Sequence, residues 1–381
     1  MKIRILNVVG ARPNFMKIGP LMDEFARYRD RFTAKLVHTG QHYDAQMSEV
    51  FFKELGLPKP AIHLGVGSGS HAIQTAKIMV EFEKVIEKEK PHLVIVVGDV
   101  NSTMACTVVA AKTQVPVAHV EAGLRSFDRR MPEEINRVVT DALSSYLFIT
   151  EQDARKNLRR EGVSDEKVFF VGNVMIDTLR KLLPRAQELD TLRRFALKKR
   201  KFALVTLHRP SNVDTKAQLG RILEALEAVQ RQIDVLFPIH PRSVARLKQF
   251  NFFDRVSRWP GLKLTEPLGY LDFVNLMSQS TLVLTDSGGL QEETTVLGIP
   301  CLTLRENTER PITISEGTNV LLGADPARIE PAVRKILNGQ GKKGHIPKFW
   351  DGKAAKRIVA ILAGQKAMLT HENRPVQPAS R

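Results

Sequence analysis

Cysteine is scarce: Cys106 and Cys301 are the only two in 381 residues, and each lies in an apolar segment far from the other. That excludes a disulfide framework and any cysteine-based zinc spacing, and predicts two buried thiols. Aromatic residues make up 6% of the chain and are not interleaved with the basic runs. A stacking platform for single-stranded nucleic acid is therefore missing, and no nucleic-acid partner is expected. Long hydrophobic runs are also absent. The opening "MKIRILNVVGARP" is cut by Arg12 and Pro13 too early for a signal peptide or a membrane span, so the expectation is a cytoplasmic protein with no membrane partner. Nor is there a G-x-G-x-x-G or a Gly-Lys-Ser/Thr phosphate loop, and "GVGSGSH" (Gly65 to His71) follows no convincing strand. No metal-ligand constellation stands out, so neither metal nor cofactor is expected.

Positive charge is abundant. Lys and Arg total 57 against 41 Asp and Glu, a formal charge of +16, which suits an anionic partner without choosing one. The runs "KKRK" (Lys198 to Lys201) and "GKKGHIPK" (Gly341 to Lys348) read as solvated faces or loops. The length suits two domains.

Short apolar, β-branched runs alternate with helical patterns: "IRILNVV", a helix from Pro13, "AKLVHT", "QTAKIMVEFEKVIEKEK", "LVIVVGD", "TMACTVVAAK" and "VPVAHVEAG". Runs buried on both faces and joined by helices predict a parallel α/β sheet. The pattern softens into a charged, helix-rich stretch near Leu183 to Lys201, and a second set begins at "FALVTLH" and runs through "DVLFPIH", "LKLTEPL", "TLVLTDSGG" and "IPCLTL". The expected fold is two Rossmann-like doubly wound domains facing a cleft, with residues 1–178 in the first and 179–354 in the second.

Ligands of open parallel sheets bind beyond the carboxyl ends of the strands. At those ends fall Gly10 and Arg12, Gly40 to His42, Gly98 and Asp99, His119 and Glu121, His208 and Arg209, His240, and Asp286 to Gly289. "GARPNFMK" offers helix amides with Arg12 and Lys17 to an anion, against an ordinary βα turn with surface cations. In "VGDVNST" the residues after Asp99 can cap the next helix. "HVEAGLRSFDRRMPEEINR" gathers acids and bases in one loop and helix start; Glu133 and Arg137 share a helical face, which permits a plain surface ion pair or proton transfer beside a phosphate. "LTDSGGLQEE" poses a puzzle: two glycines that suit phosphate stand just before two acids, Glu292 and Glu293.

These stretches, with "TGQHYD", "VGNVMIDTL", "TLHRPSNVD", "LGIPCLTLRENTERPIT" and "FWDGKAAKRI", run in order from residue 10 to about 357 and resemble the non-hydrolysing UDP-N-acetylglucosamine 2-epimerases. The resemblance implies a two-domain, glycosyltransferase-B-like fold with a C-terminal helix, about 355–370, returning to the first domain, and commonly a homodimer. It implies interconversion of UDP-GlcNAc and UDP-ManNAc by elimination of UDP, a 2-acetamidoglucal and re-addition. It assigns Asp99, Glu121 and Glu133 as acid/base carboxylates, with Arg137 and His208 lining the reacting region. Arg12 and Lys17 fall near the nucleotide-sugar, and His240 and Arg310 join them as substrate contacts. Ser287, Gly288, Gly289 and Glu293 fall on UDP, with Gly288 and Gly289 at the diphosphate and Glu293 at the ribose; Tyr270 and Leu271 fall near the uracil. Glu292 is left to favour the helix's positive end.

Two departures stand out: "GARPN" where many bacterial members read GTRPE, and "HRPSN" where they read HRRE. The glutamine-rich and arginine positions of the family's regulatory site are replaced by "QHYD" and "GVGSGSHAIQ", so regulation is not carried over. A hydrolysing relative, a 2,3-diacetamido uronic acid UDP-sugar 2-epimerase and a UDP-sugar glycosyltransferase of the same fold share these features. A basic nucleic-acid-binding protein ranks last.

Overall fold

The computed structural model describes residues 2–41, 54–323 and 325–365. The chain forms two compact units: unit 1 runs up to Thr178 and resumes at Lys348, and unit 2 is Leu179–Pro347. Helices of nine residues or more are numbered below.

In unit 1 the elements are β1 (Ile3–Val9), α1 (Arg12–Arg27), β2 (Phe32–His38), β3 (Ile62–His63), α2 (His71–Glu89), β4 (Leu93–Val97), α3 (Asn101–Lys112), β5 (Val117–Ala122), α4 (Pro132–Leu143), β6 (Tyr146–Ile149), α5 (Gln152–Arg160), β7 (Val168–Phe170) and the start of α6 (Val174–Gln187). The strands form one sheet in the order β3-β2-β1-β4-β5-β6-β7, every pair parallel. All five residues of β4 are buried, as a strand covered by helices on both faces requires. Each buried Val, Leu or Ile of such a strand contributes about 1.5–3 kcal/mol. The strand order reverses between β1 and β4, the switch point where open α/β sheets take ligands.

Proline inside α1 has a local remedy. Pro20 has no N–H for the carbonyl of Met16 four residues back. The hydroxyl of Thr178 donates to that carbonyl instead, so the helix continues to Arg27. The chain returns to unit 1 through Trp350, fully buried, whose indole N–H donates to the Thr150 carbonyl at 3.1 Å. Among the described residues the last helix of unit 1 is α12 (Ala354–Gly364), which packs on α1. Its first amides, on Ala354 and Ala355, donate to the Asp177 carboxylate at 3.1 and 2.8 Å, satisfying donors that a helix start leaves open.

In unit 2, after the end of α6, come β8 (Phe202–Thr206), α7 (Lys216–Gln230), β9 (Asp234–Pro238), α8 (Pro241–Gln249), β10 (Leu262–Thr265), α9 (Tyr270–Gln279), β11 (Leu282–Thr285), α10 (Gly288–Leu297), β12 (Cys301–Thr303), β13 (Asn319–Leu321) and α11 (Ile329–Leu337). The sheet is again parallel, in the order β10-β9-β8-β11-β12-β13. Its switch point lies between β8 and β11, and Ala203, Val205, Val235 and Leu284 join Trp259 in its core.

The charged, helix-rich stretch near Leu183 begins inside one continuous helix, α6, which holds Pro184 and runs in sequence from unit 1 into unit 2. Two local expectations change. Helix α3 has Val100 as its N-cap with no side-chain cap bond. Ser102 and Thr103 instead bond Gln41 and the Val97 carbonyl, so the residues after Asp99 fasten strand ends together. Finally, Lys342 is not a solvated lysine: it is half-buried and donates to the Asn319 carbonyl at 3.1 Å. Cys106 and Cys301 are free and buried, as expected.

Candidate functional site

At the switch point of unit 1, Asn14 ties the two central strands. Its side-chain oxygen accepts the amides of Gly10 and Ala11, each at 3.0 Å, and its side-chain nitrogen donates to the Val97 carbonyl at 2.9 Å. One turn on, Lys17 forms a buried ion pair with Glu121 at the end of β5. The ammonium reaches it over Gly98, where a Cβ would lie 2.8 Å from Lys17 Nζ and where φ is +68°. Only glycine fits both demands. Glu121 itself has φ of 76°, beside an irregularity in the β5–β6 register. A left-handed, non-glycine backbone at a buried carboxylate is strain that its surroundings must hold in place.

Asp99 stands at the end of β4 and accepts Arg137 Nη1 at 3.1 Å. Arg137 is almost fully buried on α4, and its other contact is Glu134 Oε2 at 2.9 Å. The pairing along α4 is thus with Glu134 and not with Glu133. Glu134 also accepts the amides of Ser126 and Phe127, both at 2.9 Å, which pins the loop before the helix. Glu133 stays exposed and lines a cavity of about 240 Å³ with Asp99, Asn101, Asn136, Gln41, His71 and Gln74. Asp99 and Glu133 therefore share one opening, with Arg137 behind Asp99.

At the switch point of unit 2, Asp286 is fully buried and clasps the turn after β8. It accepts the amides of His208 (2.9 Å) and Arg209 (2.8 Å), the side-chain amide of Asn212 (3.1 Å), and lies 2.9 Å from His208 Nδ1. Burial works against its charge, but the His208 contact and these amides prevail and hold the carboxyl below the usual range. His208 itself is 40% exposed. His240 lies beside it, ring centroids 5.5 Å apart, and accepts the Arg242 amide.

Helix α10 begins at Gly288 behind Ser287, which makes no side-chain cap bond. A Cβ on Gly288 would come within 2.7 Å of Glu309 and 3.3 Å of Arg310. Beneath this turn lies a buried cluster in which Arg310 pairs with Glu292 (2.6 Å) and Glu309 (2.8 Å), and Arg305 with Glu309 (2.7 Å). Glu292 is thus an ion-pair partner for Arg310, a role that its proximity to the helix start did not suggest. Glu293 is also buried and accepts the Tyr270 hydroxyl at 2.7 Å. Leu271 is half-buried on the same helix as Tyr270.

Other sequence candidates have structural partners. His119 is fully buried between Asp141 (2.6 Å) and the Gly98 carbonyl (2.8 Å). Asp141 in turn holds Arg125 at 2.7 Å, and Arg125 reaches Glu161 at 2.6 Å. Arg125 is a buried strut between two acids. His38 stacks on His63, centroids 4.7 Å apart, and accepts the Gly40 amide. Burial first and His63 second push its ring down to about 4, so it stands neutral. Asp128 and Arg130 make an exposed pair. Arg12 opens α1, but its side chain lies outside the described residues, as do His42 and the rest of "HYD".

A sequence profile described as UDP-N-acetylglucosamine 2-epimerase matches residues 25–363. The chain belongs to the UDP-N-acetylglucosamine 2-epimerase family. It is 44% identical to the UDP-N-acetylglucosamine 2-epimerase of Methanocaldococcus jannaschii over 367 residues, 95% of this chain and 99% of that one. The crystal structure of the M. jannaschii UDP-GlcNAc 2-epimerase with UDP-GlcNAc and UDP superposes with a TM-score of 0.87 at 43% identity, covering 95% of this chain and all of that one. A Pseudomonas aeruginosa UDP-2,3-diacetamido-2,3-dideoxy-D-glucuronate 2-epimerase is 40% identical over 368 residues, 95% of this chain and 99% of its own length. The fold is that of the epimerase family, two parallel α/β units of glycosyltransferase-B type.

Within the 2-epimerase family, Asn14 stands where many bacterial members carry glutamate. A carboxylate there could accept the two amides of Gly10 and Ala11 but could not donate to the Val97 carbonyl. The amide satisfies all three contacts, which accounts for the departure in this chain.

Proposed function

We propose that the protein interconverts UDP-GlcNAc and UDP-ManNAc by inversion at C2. The observation that carries this reading is the set of carboxylates at the first switch point, Asp99, Glu121 and Glu133, each beside or near a buried cation or a cavity. In the reaction, the C1–O bond to UDP breaks as a carboxylate takes the C2 proton, which gives 2-acetamidoglucal. A proton then returns to C2 on the opposite face while the UDP oxygen re-adds to C1. The C2 hydrogen is feebly acidic, so departure of UDP leads, and its growing charge needs fixed donors. Gly288 and Gly289 take the diphosphate at the start of α10, where free amides and the helix dipole favour anions. His208 is oriented by Asp286 at the switch point of unit 2.

The test is incubation with UDP-GlcNAc in D2O. The expected result is UDP-ManNAc with deuterium at C2 and no free ManNAc; release of ManNAc and UDP would make the protein a hydrolysing relative, and no exchange at C2 overturns the reading. The Pseudomonas relative supports a second substrate, the 2,3-diacetamido uronic acid UDP-sugar, and the same experiment with that compound separates the two.

The protein is further proposed to work as a cytoplasmic homodimer. Two buried free thiols suit a reducing compartment, and among the described residues no helix is long and apolar enough to cross a membrane. Ile73 and Val80 on α2, Ile135 and Leu143 on α4, and nearby Phe127 are exposed apolar side chains of unit 1, suited to a second copy. Light scattering is expected to give twice the 42.8 kDa chain mass, and Val80→Glu with Ile135→Glu to halve it.

A further inference from the structure

We propose that Tyr270 is a positioning residue for nucleotide recognition: its phenol holds one oxygen of Glu293 so that the other is presented to the ribose diol of a uridine nucleotide. This rests on the reading above, in which Glu293 serves the ribose, and moves Tyr270 from the uracil to the acid behind it. The hydroxyl donates to Glu293 Oε1 at 2.7 Å, and both side chains are buried, Tyr270 at the start of α9 and Glu293 in the second turn of α10. Among the described residues no hydrogen bond reaches Glu293 Oε2.

The charges around Glu293 leave its own carboxylate weakly supported. Burial first, then the charge of Glu293 itself, push the Tyr270 phenol well above its ordinary range, so it remains a donor. Neighbouring Glu292 is taken up by Arg310, which also binds Glu309, and Glu309 binds Arg305, so these cations are spent on other acids. Burial pushes Glu293 up to about 7, with the Tyr270 bond opposing and Glu292 adding to the rise. An ionised carboxylate accepts hydroxyl donors strongly and a protonated one does so poorly. Recognition of the diol thus switches on as pH rises through the neutral range, and Tyr270 extends that range downward.

Calorimetric binding of UDP and of 2′,3′-dideoxy-UDP to the full chain, at several pH values, tests this. The ratio of the two affinities cancels phosphate ionisation, which both share. In the wild-type chain the ratio is expected to climb about tenfold between about pH 6 and about pH 8. Tyr270→Phe is expected to move the midpoint of the climb upward by about one pH unit and lower its plateau. A midpoint and plateau unchanged in Tyr270→Phe overturn the inference, and so does a wild-type ratio that stays flat. Glu293→Gln separates the two levels: a ratio unchanged at every pH removes the ribose contact itself. Failure of C2 exchange in D2O, in contrast, removes the epimerase reading and leaves the binding result standing.

Discussion

Replacing Glu121 with glutamine is expected to lower C2 proton exchange by about a thousandfold, the scale of a lost general acid or base. The side chain keeps its shape and its place at the end of β5, so the loss is one of charge and proton affinity. It also strands a cation. Lys17 is buried against Glu121, and removing one member of such a pair leaves the other desolvated, at about 3–5 kcal/mol. The variant is therefore expected to be less stable as well as slow. The second effect can be removed without the first. Lys17→Met in the Glu121→Gln background takes away the stranded charge, so stability is expected to recover while exchange stays low. A cycle of the two single variants and the double variant, read by urea unfolding and by deuterium incorporation, measures both. Exchange in Glu121→Gln within tenfold of wild type would falsify a proton-carrying role.

The second large effect lies in unit 2. Asp286→Ala is expected to destabilise that unit by about 3–5 kcal/mol, because one buried carboxylate satisfies the amides of His208 and Arg209, the Asn212 side chain and the His208 ring. The two tryptophans divide between the units, Trp259 in unit 2 and Trp350 in unit 1. With Trp350→Phe as background, Trp259 fluorescence reports unit 2 alone, and an unshifted urea midpoint in Asp286→Ala would sink the claim. The pH dependence has a definite sign. The folded carboxyl is depressed, so its contribution is fully present above the unfolded pKa of about 4 and is lost as pH falls through the lower folded value. Wild type is expected to lose stability in that acid window, and Asp286→Ala to lack that portion of the loss.

Much of this was readable from short-range pattern. Buried runs such as "LVIVV" and "FALVT" marked parallel strands because a strand covered on both faces has no polar alternation to show. The strand-end rule then pointed to Gly98, Asp99, His208 and Asp286, since chain order fixes which end of a parallel strand precedes a helix. What stayed hidden depends on pairs far apart in sequence. Lys17 and Glu121 meet across 104 positions, and Glu292 and Arg310 across 18, so neither side chain reveals its partner locally. The histidines show the same gap. His119 and His208 both follow apolar runs, but one is sealed beside Asp141 and the other is partly open beside Asp286. Thr178 shows it for backbone: only the fold brings its hydroxyl to the carbonyl that Pro20 leaves unpaired.

The return of the chain to unit 1 at Lys348 has a consequence for the order of synthesis. Unit 2 is contiguous, and it can fold as soon as it emerges from the ribosome. Unit 1, most of which precedes unit 2 in the chain, lacks Trp350 and α12 until unit 2 has been translated. The surface of α1 that receives that helix stays uncovered during this interval, so a nascent first unit waits on the return of the chain to cover its own first helix.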